Sequence, residues 1–347
     1  MNDCPVLRAV LFTRAINSGF KRMMACILGV AAIFVSFFAN IEKDIINVNM
    51  ISQKNNLLLR LILIIFVDMK TIQELSDIAS QVRRDIIRSV SGAGCGHPGG
   101  SLSSTDILTA LYFSEMKQDP ATWRRDAKGQ DAFIPSAGHL APVVYAVLAR
   151  AGYFPPAKLA TLRKFGSDLQ GHPSTEHGLK GIFMPSGSLG QGLAAAAGIA
   201  LAKKLAGEPE RAFALLGDGE SEEGEIWETA MFAVSHKLDN LVAMTDWNHL
   251  QIDGVIEEVT GIAELDEKWS AFGWDVIEAD GHDFESILKA FELARVRNGK
   301  PKMIMFNTEM GHGVDFMAGN HGWHGKAPSA EECEKALAQL KETLGDY

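Results

Sequence analysis

The sequence predicts an α/β fold with a mostly parallel sheet and helices on both faces. Helical patterns alternate with short apolar runs from residue 69 to the end of the chain. The spacing between successive runs leaves room for a crossover helix, as parallel strands require. At 347 residues and 47% hydrophobic, the chain can bury a sizeable core.

The first 68 residues differ from the rest. They are net +3 and the remainder net −13, and they hold a 17-residue uncharged run from Met23 to Ala39. A shorter run, Leu57 to Val67, is broken by Arg60. This extension, residues 1–68, reads either as a signal anchor or membrane hairpin with basic residues on the cytoplasmic side, or as a segment outside the working protein. The second reading is preferred, because an ordinary soluble pattern starts at Met69 and Thr71 is placed to cap a helix with Glu74 three residues on.

From there, helices are expected over 72–90, 104–112, 140–151, 190–205, 223–236 and 283–298, and strands over 131–136, 211–217, 240–246, 274–280 and 301–309. With no repeat and no low-complexity linker, residues 69–347 form one domain. The formal charge of −10 argues against nucleic acid as a partner. Four scattered cysteines without CxxC spacing suit a reducing, cytoplasmic setting.

The chemistry-bearing residues gather on glycine-rich corners. The apolar run "FALLG" leads into Asp218, which stands between Gly217 and Gly219. After 28 residues, enough for a turn, a helix and a return strand, comes Asn248 in "TDWNHLQIDG". Both strands would end on one edge of the sheet, where open α/β folds bind ligands. A carboxylate, an amide oxygen and a backbone carbonyl make an incomplete oxygen set for Mg²⁺, which commonly completes its shell with phosphate oxygens and water. The two glycines clear the approach, and Glu220, Glu222 and Glu223 suit the first turn of the following helix. Alone, GDG is more readily a hairpin turn; the preceding apolar strand, the crossover spacing and the distant Asn make the pair specific. Three glycine–histidine corners, "GCGHPGGS", "SAGHLAP" and "QGHPST", point to one shared cleft.

On these residues the chain resembles transketolase, specifically its amino-terminal half, and so the thiamine-diphosphate enzymes. The GDG…N pair is shared broadly among them; "GHPGGS", "SAGH", "QGHP", "GSLGQGLAAAAGIA", "GHD" and "HGKAP" narrow it to transketolase. The resemblance runs from Met69 to the carboxyl terminus. It implies a thiamine-diphosphate-binding fold, with Mg²⁺ held by Asp218, Asn248 and the carbonyl of Leu250, and the diphosphate approaching at Gly219. It places Gly187 and Leu189 against the aminopyrimidine, Ile252 near the thiazolium, and Glu223 at the contact between subunits. His97, His172, His324 and Glu223 are implied as catalytic and His139, with His324 and Asn248, as cofactor-binding. Imidazoles titrating near neutral pH would suit proton movement.

The family's activating glutamate and its arginines for sugar phosphate lie in a later half that this sequence does not contain. The resemblance therefore implies one subunit of a split transketolase, joined by a carboxyl-terminal partner in a heterotetramer and moving a two-carbon ketol unit between sugar phosphates. A non-catalytic thiamine-diphosphate-binding subunit and a deoxyxylulose-phosphate synthase are the alternatives.

Overall fold

Five parallel strands form the central sheet in the order β1-β2-β3-β7-β6. They are β1 (Ala132–Pro135), β2 (Ala212–Gly217), β3 (Leu241–Trp247), β6 (Asp275–Asp280) and β7 (Lys302–Asn307); β4 (Leu250–Gln251) and β5 (Gly254–Val255) make a small antiparallel hairpin. The computed structural model describes residues 70–347, so the readings made for residues 1–68 lie outside the described residues. Among the described residues no helix is long and apolar enough to cross a membrane.

The central strands are apolar over most of their length because both faces are covered, with Thr245, Asp246 and Lys302 as buried polar exceptions. Phe213, Leu215, Val242, Met244, Ile304 and Phe306 point into one core, with residues of α1 (Ile72–Ala93), α4 (Ala141–Arg150) and α9 (Phe284–Ala294). Ala212, Ala214, Leu216, Leu241, Ala243, Met303 and Met305 point into the other, with residues of α5 (Gln191–Ala206), α6 (Gly224–Ser235) and α8 (Leu265–Ala271).

α1 opens on the expected capping box: Thr71 Oγ1 accepts from the Glu74 N–H at 3.2 Å, and Glu74 returns to the Thr71 N–H at 2.8 Å. It runs three residues further than its pattern suggested, to Ala93, because Gly94 provides a left-handed cap at φ 68°. The helix expected over 104–112 forms, with an unexpected short helix just before it and a π-type turn at its end. Pro98 starts α2 (Pro98–Ser103), α3 (Thr105–Ala110) follows, and a π-type turn closes it over Leu111–Glu115. α9 stops four residues short of Asn298, where Arg295 turns aside to bind the buried Glu115 at 2.5 Å. Two further helices were not anticipated, α8 and α10 (Ala330–Gln339), and between β5 and α8 lies the single turn α7 (Ile256–Val259).

Candidate cofactor and active site

Parallel pairing sets Gly217 of β2 beside Asp246 of β3, so the chain leaves both strands at one edge. Asp218 and the 248–250 turn are brought together there. Asp218 Oδ2 accepts from the His249 N–H at 2.6 Å and Oδ1 from the Gly219 N–H at 2.8 Å. His249 sits at φ +62°, a left-handed conformation unusual for a histidine. That kink turns its N–H toward Asp218 and leaves Asn248 Oδ1 to accept from the Leu250 N–H at 3.1 Å. Space is open in front of Gly217.

Asp218 is 3% exposed and has no ion pair among the described residues. Burial, and then the nearby Asp246 carboxylate, push its carboxyl well above the usual carboxylate range, despite the backbone N–H donors around it. An acid so placed is suited to a cation supplied from outside the chain. Asp218, Asn248 Oδ1 and the Leu250 carbonyl are the oxygen set that fits a hard divalent ion.

Asp246, which no sequence motif singles out, builds this corner from behind. It accepts Ser103 Oγ at 2.6 Å, Thr308 Oγ1 at 2.6 Å and Asn248 Nδ2 at 3.0 Å. The last bond fixes the Asn248 amide so that its oxygen, not its nitrogen, faces away from Asp246. A second acid two residues before the Asn, at the end of a buried strand, was the available signal.

The four predicted histidines meet. Ring centroids lie 5.3 Å apart for His97–His139, 5.6 Å for His97–His324, 5.0 Å for His139–His324 and 6.3 Å for His97–His172. α2 joins this group to the Asp218–Asn248 corner, with His97 at its start and Ser103, bound to Asp246, at its end. Gly138, next to His139, lies so close to the 186–187 peptide that a Cβ there would come within 2.4 Å of Gly187 N. Gly187 in turn faces the His172 ring, Leu189 is half-buried beyond it, and Ile252 is 60% exposed at the β4–β5 turn.

Titration near neutrality, expected for these imidazoles, does not hold. Burial first, then neighbouring positive charge, lowers His97 to about 4 and His139 to about 3. Burial likewise lowers His172 and His324. The cleft therefore presents neutral imidazoles, each able to donate from one nitrogen and accept at the other. His324 Nδ1 is buried with no partner among the described residues.

The three acids after Asp218 do not sit together on a first helical turn. A 3₁₀ turn intervenes over Gly219–Glu222, and α6 starts at Gly224. Glu223 is exposed and its side chain caps nothing; Glu222 binds Gln251 at 2.7 Å. Glu220 turns inward, where burial pushes its carboxyl up to about 7. Arg163, which lies in no recognised motif, lays its guanidinium over Gly171 beside His172.

A parallel α/β sheet carrying an uncompensated acid, an oriented amide and a histidine cleft at its strand ends defines a diphosphate-cofactor-binding domain. Residues 75–345 match the family profile "Transketolase, thiamine diphosphate binding domain". A 6-deoxy-6-sulfo-D-fructose transketolase subunit from Clostridium sp. (strain MSTE9) is 42% identical over 265 residues, covering 76% of this chain and 94% of that protein. One of the subunits of an apulose-4-phosphate transketolase from Phocaeicola vulgatus is 39% identical, covering 76% and 92%. The crystal structure of Campylobacter jejuni transketolase superposes with a TM-score of 0.72 at 31% identity, covering 78% of this chain and 43% of that one. The chain belongs to the transketolase family and corresponds to its amino-terminal, thiamine-diphosphate-binding half.

Proposed function

We propose that residues 69–347 are the diphosphate-binding subunit of a two-chain transketolase, holding thiamine diphosphate through Mg²⁺. The reading rests above all on one observation: Asp218, buried and with no cationic side chain paired to it among the described residues, stands beside an Asn248 amide whose oxygen is held away from Asp246. Asp218, Asn248 and the Leu250 carbonyl hold the ion, which receives the cofactor diphosphate at Gly219. Gly187, Leu189 and Ile252 flank the cofactor rings. When bound, thiamine diphosphate supplies an electron sink for breaking and remaking the carbon–carbon bond beside a ketose carbonyl.

The chain's own residues do the rest. His97, His172 and His324 orient the sugar hydroxyls as neutral donors and acceptors, and the unpartnered His324 Nδ1 is the atom we assign to proton exchange with a substrate hydroxyl. His139 packs against His97 and His324 and lines the diphosphate side. Both subunit relatives are named for ketoses that carry a terminal anion, a sulfonate or a phosphate. The reading therefore gives this chain an anionic ketose as donor and an aldose phosphate as acceptor, in the cytoplasm. A separate carboxyl-terminal chain completes the site, with Glu223 at the contact, in a heterotetramer.

Purified alone, the chain should bind thiamine diphosphate in the presence of Mg²⁺ but transfer no ketol unit. Adding the carboxyl-terminal partner should restore transfer. Robust transfer by the lone chain would overturn the split, and retained binding without catalysis in the assembled pair would favour the non-catalytic alternative.

A further inference from the structure

Glu220 has no role in the family resemblance, yet it is 2% exposed and sits at the meeting point of three segments. Its Oε1 accepts from Ser136 Oγ at 2.5 Å, just past β1, and from the Gly190 N–H at 2.8 Å, on the loop that ends in α5. Its Oε2 accepts from the Gly217 N–H at 3.1 Å, at the end of β2. Ser136 Oγ, held by this carboxylate, accepts in turn from the Leu193 N–H at 3.2 Å in the first turn of α5. The carboxylate thus caps α5, directly at Gly190 and through Ser136 at Leu193. Packing leaves little freedom at this junction: a Cβ on Gly192 would fall 2.4 Å from Ser136 Cα.

The segments so joined do different work under the function proposed above, on which this inference rests. Gly187 and Leu189 belong to the loop assigned to the cofactor's aminopyrimidine, whereas Gly217 abuts the metal-binding Asp218. We propose that Glu220 is a positioning residue that fixes the distance between the ring-contacting loop, residues 187–190, and the diphosphate corner, so that one cofactor can span both. Its own oxygens are taken up by Ser136, Gly190 and Gly217. Its influence should therefore fall on a ligand that needs both ends and spare one that uses the diphosphate corner alone.

The test uses the full chain with Glu220→Ala and Glu220→Gln, each titrated by calorimetry with Mg²⁺ plus thiamine diphosphate and, separately, with Mg²⁺ plus inorganic pyrophosphate. For the alanine variant, thiamine diphosphate should bind about tenfold more weakly, the size seen when outer partners of a site are removed, and pyrophosphate within about twofold of wild type. Hydrogen exchange of amides 187–193 should quicken by about tenfold or more, with β2 and β3 unchanged. Glutamine retains an oxygen for Ser136 and Gly190 but turns its amide toward the Gly217 N–H. It should restore most loop protection and show the same ligand selectivity at about threefold. Should the alanine variant not fold, the glutamine variant decides. Equal weakening of both ligands, or unchanged exchange over 187–193, would overturn the proposal. If wild type binds neither ligand, the cofactor reading fails instead, and the exchange result still decides whether Glu220 holds the loop.

Discussion

Asp106 and Asp218 are both almost fully buried, at 3% exposure each, yet one is compensated within the fold and the other is not. Asp106 takes two hydrogen bonds from Arg83, at 2.6 and 2.9 Å, and one from His282 Nδ1 at 3.1 Å. Burial alone would raise it, but the Arg83 charge and these bonds leave it at about 2. With His282 and His312, it could be mistaken for a metal cluster, since the three offer ligand atoms within 4.8 Å of one another. The bonding argues otherwise. His282 spends Nδ1 on Asp106 and accepts from the Glu309 N–H at Nε2 at 2.9 Å, and Arg83 already supplies the positive charge. At Asp218 no such cation exists among the described residues. Proximity of acids and histidines does not make a site; unmet demand for charge or hydrogen bonds does.

Mutation should separate the two acids sharply. Arg83→Met leaves the Asp106 charge buried without its guanidinium and should cost about 3–5 kcal/mol in chemical denaturation, with cofactor affinity of the folded fraction unchanged. Asp218→Asn should do the reverse. It should weaken Mg²⁺-dependent thiamine diphosphate binding by about 100-fold, followed by tryptophan fluorescence, while the cofactor-free protein stays within about 1 kcal/mol of wild type or gains stability. Destabilisation of the Asp218 variant comparable to that of Arg83→Met would erase the contrast.

Smaller effects concern the histidines. His97→Asn in the assembled enzyme should lower kcat/KM by about 10- to 100-fold and alter cofactor affinity by no more than about twofold. The pH dependence carries a definite sign. His97 and His139 titrate lower in the folded chain than in the unfolded one, so the unfolded state binds more protons over the interval between. Their contribution to stability is complete above about pH 6.5 and is lost as pH falls toward 4. His139→Asn should flatten that acid limb in a urea series; an unchanged slope would place the lost stability elsewhere.

Much of this is legible in the chain because it depends on neighbours in sequence. All five strands of the sheet fall within one or two residues of their apolar runs, and the Thr71–Glu74 cap follows from a four-residue pattern. The Ser329–Glu332 cap of α10 carries the same four-residue signal, although no helix was expected there. Glu220 is not legible. It lies in a run of acids, and its partners Ser136 and Gly190 are 84 and 30 residues away. Its neighbours in that run differ from it: Glu222 is half-buried against Gln251 and Glu223 is exposed. Asp246 is hidden for the same reason, because Ser103 and Thr308 reach it across 143 and 62 residues. The lowered titration of the cleft histidines arises from burial, which appears only once four separate corners have folded against one another.

The proposed function requires an ion that joins two strand ends to a diphosphate, and a crystal structure grown with thiamine diphosphate and Mg²⁺ tests this most directly. The predicted result is one ion with an Asp218 carboxylate oxygen, Asn248 Oδ1 and the Leu250 carbonyl each at about 2.1 Å, its remaining positions filled by diphosphate oxygens and water. Cofactor bound elsewhere, or bound at this edge with Asp218 still engaged only by the Gly219 and His249 N–H groups, would contradict it.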